Sequence, residues 1–241
     1  MKQLTTTRRL RIAAALSLAL SASVQAAPIF ENGAVVDGAG LSVLTAPATI
    51  FGFGAQTTAN NRVADDFTVP LGTTWNVQSL SLYAYQTGAS AFTFSSATWQ
   101  IILGDLNAGT VVASGSVAVS DEGLVGYRVT NTTLANTQRP VYQIGLDIPD
   151  LDLGGGSYWL TWSIGGSLAS GPWVPPTLAS HGGNAAQSIA AGPFSTLIDG
   201  GSQQRVELPF ALNGTVPEPT SLTLVLAAAA AAVGAARRRQ R

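Results

Sequence analysis

Carboxylates and indoles are the only side chains in this sequence whose grouping could support chemistry. The chain holds thirteen Asp and Glu and five Trp, with a single histidine at His181 and no cysteine. It has no Gly-x-Ser-x-Gly elbow, no phosphate-cradling glycine motif and no lysine after Lys2, so acyl transfer, phosphoryl transfer and Schiff-base chemistry lack a starting residue. Zinc would need more ligands than one histidine. A hydrolase would have to rest on carboxylates. Asp65 and Asp66 are adjacent, and strand neighbours face opposite sides, so they cannot serve together as the acid and base of a glycosidase. Asp121 and Glu122 read as a turn before Gly123, and Asp147, Asp150 and Asp152 as a solvated turn without the glycine and distal glutamate of an EF-hand loop. The chain is expected to be non-enzymatic.

Asp65 shares strand parity with Val63, Phe67 and Val69 and so points toward the core if the strand includes it. A buried carboxylate needs a partner. Three readings are open: the strand starts at Asp66 or Phe67, Asp65 accepts backbone N–H groups or meets Arg62 or Arg128, or Asp65 and Asp66 ligate a structural calcium ion. No other cofactor is expected.

The tryptophans suggest a second kind of site. By parity Trp99 and Trp162 face inward, whereas Trp159 points to the opposite face and Trp173 sits among prolines in Gly171-Pro172-Trp173-Val174-Pro175-Pro176. An exposed indole can stack on a sugar ring, so Trp159 and Trp173 are the candidate carbohydrate contacts, with His181 or Asn184 as polar neighbours.

The elements that would carry these residues are strands. Apolar residues alternate in Ala97-Trp99-Ile101-Leu103, in Val111, Ala113, Val117 and Val119, in Tyr142 to Ile148, in Tyr158-Leu160-Trp162-Ile164 and in Val206-Leu208-Phe210-Leu212. Val63 to Val69 and Leu124 to Thr130 are weaker, and the segment from Trp75 to Tyr85 changes apolar parity near Ser79, which implies a bulge. Pro209 cannot donate to a ladder, so the last strand is placed at a sheet edge. Residues 27–61 and 165–204 read as irregular. The expectation is an all-β sandwich or jelly roll over 27–215.

Both ends of the chain read differently. Lys2, Arg8, Arg9 and Arg11 precede an apolar stretch from Ile12 to Leu20, and Val24-Gln25-Ala26 offers a cleavage site, which makes 1–26 a signal peptide. Thr7-Arg8-Arg9 hints at twin-arginine export, but Arg11 stands where that signal prefers a bulky apolar residue, so the Sec translocon and signal peptidase are the expected partners. At the other end, Pro217-Glu218-Pro219 precedes an uncharged apolar run from Ser221 to Ala236, followed by Arg237, Arg238, Arg239 and Arg241. As a helix this run spans about 24 Å, enough to reach nearly across a bilayer, with the arginines held on the cytoplasmic side.

This order over residues 216–241 resembles the PEP-CTERM sorting tail of Gram-negative exported proteins. The resemblance implies a single transmembrane helix that is processed by an exosortase, delivery to the cell envelope or extracellular matrix, and association with exopolysaccharide or biofilm. The run Ala64-Asp65-Asp66-Phe67-Thr68-Val69 is similar to passengers of other such tails. Between the two ends, four arginines stand against twelve carboxylates, a net charge of −8. Such a domain has no electrostatic footprint for nucleic acid. The competing expectations are a secreted carbohydrate-active hydrolase and a structural surface-layer component.

Overall fold

The computed structural model describes residues 28–177 and 183–217. The expected signal peptide, the transmembrane helix and the sorting residues Glu218, Pro219, Arg237, Arg238, Arg239 and Arg241 lie outside them, as does His181, and Pro217 is the last residue described. Among the described residues no helix is long and apolar enough to cross a membrane.

The described chain is all β. Its strands are β1 (Pro28–Glu31), β2 (Leu41–Leu44), β3 (Phe53–Gly54), β4 (Arg62–Tyr85), β5 (Phe94–Leu103), β6 (Thr110–Ala118), β7 (Ser120–Thr130), β8 (Pro140–Gly166), β9 (Trp173–Val174), β10 (Ala186–Ser188), β11 (Ser195–Thr196) and β12 (Phe210–Thr215). A single 3-10 turn, Thr57–Ala59, precedes β4. All twelve strands join one hydrogen-bonded sheet, with the spine β1-β12-β4-β8-β5-β6, and only β2 with β7 is a parallel strand pair.

The two longest strands set the shape. β4 and β8 run antiparallel from Val63 opposite Trp162 to Val69 opposite Gly156, then resume at Thr74 opposite Gly154 and continue to Tyr85 opposite Val141. Pro70 to Thr73 are extruded at this step, with Leu71 exposed and Thr73 Oγ1 donating to the Pro70 carbonyl at 2.7 Å. Gly155 is required beneath them, because a Cβ there would stand 2.7 Å from Leu71 Cα and 2.8 Å from the Pro70 carbonyl oxygen. The ladder therefore turns a corner, and the sheet curls into two arms. The first arm holds 62–69, 156–166, β5, β6, β10 and β11; the second holds 74–85, 140–154, β1, β12, β7 and β2.

Burial of apolar side chains between these arms is the main favourable term holding the sheet curled. Trp162 on the first arm meets Phe210 on the second with ring centroids 5.9 Å apart, and Phe67 stacks on Trp75 across the corner at 6.3 Å. Val63, Phe67, Val69, Leu80, Leu82, Ile144, Leu160, Trp162 and Leu212 belong to the same buried cluster. The parity change near Ser79 is present: the register slips between Val77 and Ser79, and the buried set changes from Trp75 and Val77 to Leu80, Leu82 and Ala84.

Five sequence expectations are corrected. The last strand is not an edge, since β12 lies between β1 and β4; Pro209 is buried and precedes the ladder, so its missing N–H breaks no pair. Residues 27–61 and 165–204 contain β1, β2, β3, β9, β10 and β11, whose two to four residues are too short to display a period. Asp121 and Glu122 lie within β7, and Asp147, Asp150 and Asp152 within β8, rather than in turns. Leu103 is exposed because the β5–β6 register slips after Ile101 and turns Ile102 inward. Trp159 and Trp173 occupy separate positions, as described next.

Candidate functional site

Strand β4 does include Asp65, and the two-residue period buries its side chain completely. No arginine meets it. Its Oδ2 accepts the Leu208 N–H at 2.6 Å and Asn32 Nδ2 at 2.8 Å, and its Oδ1 accepts the Asp66 N–H at 2.9 Å. Glu207, also buried, approaches from the segment ahead of β12 and accepts the Gly183 N–H through Oε1 at 2.8 Å. Glu207 Oε2 is buried and receives no donor from any other described group. Burial pushes the Asp65 carboxyl up to about 9, and the hydrogen bond and negative charge of Glu207 add to the rise, while the Leu208 and Asp66 N–H groups pull against it. A proton on Asp65 supplies the donor that Glu207 lacks.

Asp65, Asp66 and Glu207 each place one carboxylate oxygen within 4.8 Å of the others. These are the residues that would hold a cation. Calcium takes roughly six to eight oxygens, whereas the carboxylate oxygens of Asp65 already accept three N–H donors.

Arg62 and Arg128, the sequence candidates for pairing with Asp65, are engaged elsewhere. Arg62 donates to Gln100 Oε1 and Thr161 Oγ1 and lies over the Phe194 ring at 5.7 Å. Arg128 is buried, donating Nε to the Phe51 carbonyl at 2.9 Å, Nη2 to the Ile50 carbonyl at 2.9 Å and Nη1 to Ser42 Oγ at 3.0 Å. Burial lowers the Arg128 guanidinium to about 10, with Arg139 adding to the fall and Tyr85 and Asp199 opposing it. Asp199 holds the same segment from its amide side, accepting the N–H of Thr49 at 3.0 Å and of Ile50 at 2.7 Å.

The segment so held leads into a cleft of about 620 Å³. Gly52 to Gly54, Gln56, Asn61, Trp173 and Gln187 line it, and among the described residues no charged one does. Trp173 is half-buried, and its Nε1 donates to Ser170 Oγ at 3.2 Å. Gln56 Oε1 accepts Asn61 Nδ2 at 2.8 Å, and Gln187 Nε2 donates to the Gly54 carbonyl at 2.8 Å. That leaves Gln56 Nε2 and Gln187 Oε1, one donor and one acceptor, without a protein partner among the described residues. Trp159 is not part of this cleft: it is half-buried opposite Asp66 on β4 and Ile102 on β5. The two tryptophans expected on one surface are therefore not brought together, and Asn184 does not line the cleft.

Sequence reasoning missed Asn32, Glu207 and Asp199, and the backbone that Arg128 holds. Glu207 falls between Val206 and Leu208, which strand parity sends inward, so parity sends Glu207 outward; the ladder begins only at Phe210, and the extended rule does not govern it. The single available signal was that Asp65 needed a partner. No protein-family model matches the chain, and no curated protein matches it.

Proposed function

We propose that this chain is an exported, non-enzymatic protein of the cell envelope or extracellular matrix of a Gram-negative bacterium, whose sandwich-like passenger contacts neutral polysaccharide through the cleft beside Trp173. The observation that carries the reading is a cleft without charge in a domain of net charge −8, lined by one indole and three side-chain amides. A sugar ring needs an aromatic face and fixed donors and acceptors, not a counter-ion. The acid cluster at Asp65 is buried and so does not supply the two carboxylates facing an open cleft that the hydrolase alternative would need there. In this reading the cluster is structural and is closed by a proton rather than by calcium.

Delivery is proposed to follow the sequence signals: the Sec translocon and signal peptidase at 1–26, then insertion of the 216–241 tail and processing by an exosortase. In cells lacking the processing enzyme, the chain should remain in the inner-membrane fraction; an unchanged distribution would remove the sorting assignment.

Binding is tested with neutral exopolysaccharide from the producing cells, followed by affinity electrophoresis and tryptophan fluorescence. Trp173→Ala and Gln187→Ala should each weaken retention about tenfold, equivalent to about 1.4 kcal/mol. Trp159→Ala should leave it unchanged. Equal loss from Trp159→Ala and Trp173→Ala, or no retention of the wild type, would end the proposal for this cleft.

A further inference from the structure

The free edges of the sheet differ sharply in length. β1, β2 and β11 have four, four and two residues, whereas β6 has nine and pairs only with β5. A long edge strand presents a row of unpaired N–H and C=O groups, and proteins usually blunt such a row with lysine, proline or a covering loop. Among the described residues β6 has none of these. No charged residue and no proline occurs from Leu106 to Ser120, and a register slip at its Val112 end is the only interruption.

The sequence of this edge is also self-complementary. About Gly115, Ser114 mirrors Ser116, Ala113 mirrors Val117, Val112 mirrors Ala118 and Val111 mirrors Val119. An antiparallel pair of identical strands related by a two-fold axis through Gly115 places Ser114 opposite Ser116 and Ala113 opposite Val117, and the bulge at Val112 ends the regular register there. The first-arm sheet would then continue without a break from one copy into the next. Within the strand the register brings no charge against charge, because β6 carries none over Thr110–Ala118, so the repulsion between two copies of net charge −8 acts only at a distance. Beneath the axis lies Trp99, whose Nε1 stands 3.0 Å from where a Gly115 Cβ would be and is buried without a hydrogen-bond partner.

We propose that β6 is a homodimer interface, in which a second copy of this chain pairs antiparallel through Gly115. The interface is isologous, so it closes at two copies and does not grow into a filament. The five facing residue pairs from Ala113 to Val117 contribute about five inter-strand hydrogen bonds. Their area falls below the roughly 1,000 Å² of a permanent interface, so the dimer is reversible. None of residues 106–120 lines the Trp173 cleft, and the dimer stands or falls independently of the ligand.

Sedimentation velocity on the full chain in mild detergent tests this. The wild type should dimerise as concentration rises toward roughly 0.5 mM. Ser114 and Ser116 are exposed, so substitutions there leave the fold intact, which an unchanged unfolding midpoint verifies. S114K/S116K sets lysine opposite lysine and should weaken the dimer at least tenfold, by about 1.4 kcal/mol. S114K/S116E sets lysine opposite glutamate and should restore it. A wild type that stays monomeric, a dimer indifferent to S114K/S116K, or failure of S114K/S116E to restore association would each overturn the proposal, the first leaving the edge to a different partner and the second placing the contact on another surface.

Discussion

Raising the pH from about 5 to about 9 should steadily lower the unfolding midpoint of the wild-type chain, while Asp65→Asn should hold its midpoint nearly constant over the same range. The folded protein keeps the Asp65 proton up to about pH 9, whereas the unfolded chain releases it near 3.8. Between those values the folded state binds more protons than the unfolded state, so stability falls as pH rises, and it is level below and above the window. One proton sets a ceiling of about 1.4 kcal/mol per pH unit. The side-chain amide introduced by Asp65→Asn would keep the acceptor for Leu208 and supply a donor toward Glu207 without a titrating group, but it gives up the acceptor for the Asp66 N–H, so the expected result is a flat profile rather than a higher midpoint. Asp66→Asn should keep the wild-type slope. A flat wild-type profile, or an Asp65→Asn variant that keeps the wild-type slope, would show that the pair is not closed by a proton. A wild-type slope abolished by millimolar calcium would assign the cluster to the ion.

The residues involved explain what the sequence could and could not disclose. Strand alternation is local, so Tyr158-Leu160-Trp162-Ile164 and the parity change at Ser79 were legible, and so was the inward direction of Asp65. Its partners were not, because Asn32 and Leu208 stand 33 and 143 positions away and nothing local links them. The cleft hides for the same reason. Trp173 stood out among its prolines, but Gln56, Asn61 and Gln187 meet it only once β3, β9 and β10 are laid against the ends of β4 and β8. Strands of two residues carry no period, so this region read as irregular. Asp199 stands in an Asp-Gly-Gly run, which carries no local signal of burial, yet its side chain is buried.

Asp199→Ala should lower stability by about 1–3 kcal/mol, because it leaves the N–H groups of Thr49 and Ile50 without their acceptor. Asp199 and Arg128 do not touch. They hold opposite sides of the same backbone, the carboxylate taking the amides of Thr49 and Ile50 and the guanidinium the carbonyls of Ile50 and Phe51. Asp199 also accepts the Ser202 N–H at 2.7 Å, which ties the 199–203 turn to this segment. Burial alone would raise its carboxyl, but the N–H groups of Ser202, Ile50 and Thr49 and the Ser202 hydroxyl outweigh it and bring the group down to about 2. Its contribution is therefore present above pH 4 and lost as pH falls through 2, which is the reverse of Asp65. The two acids therefore bend the profile in opposite directions on either side of about pH 4, so the acid-side fall should be reduced in Asp199→Ala and the alkaline-side fall reduced in Asp65→Asn. Urea unfolding at a series of pH values separates them. A double-mutant cycle with Arg128→Met then measures the coupling through the peptide: once Arg128 is gone, Asp199→Ala should cost at least about 1 kcal/mol less than it does alone. Additivity of the two substitutions within about 0.5 kcal/mol would mean that each group serves the segment separately, and the account of Asp199 as the counter-charge of a buried arginine would fall.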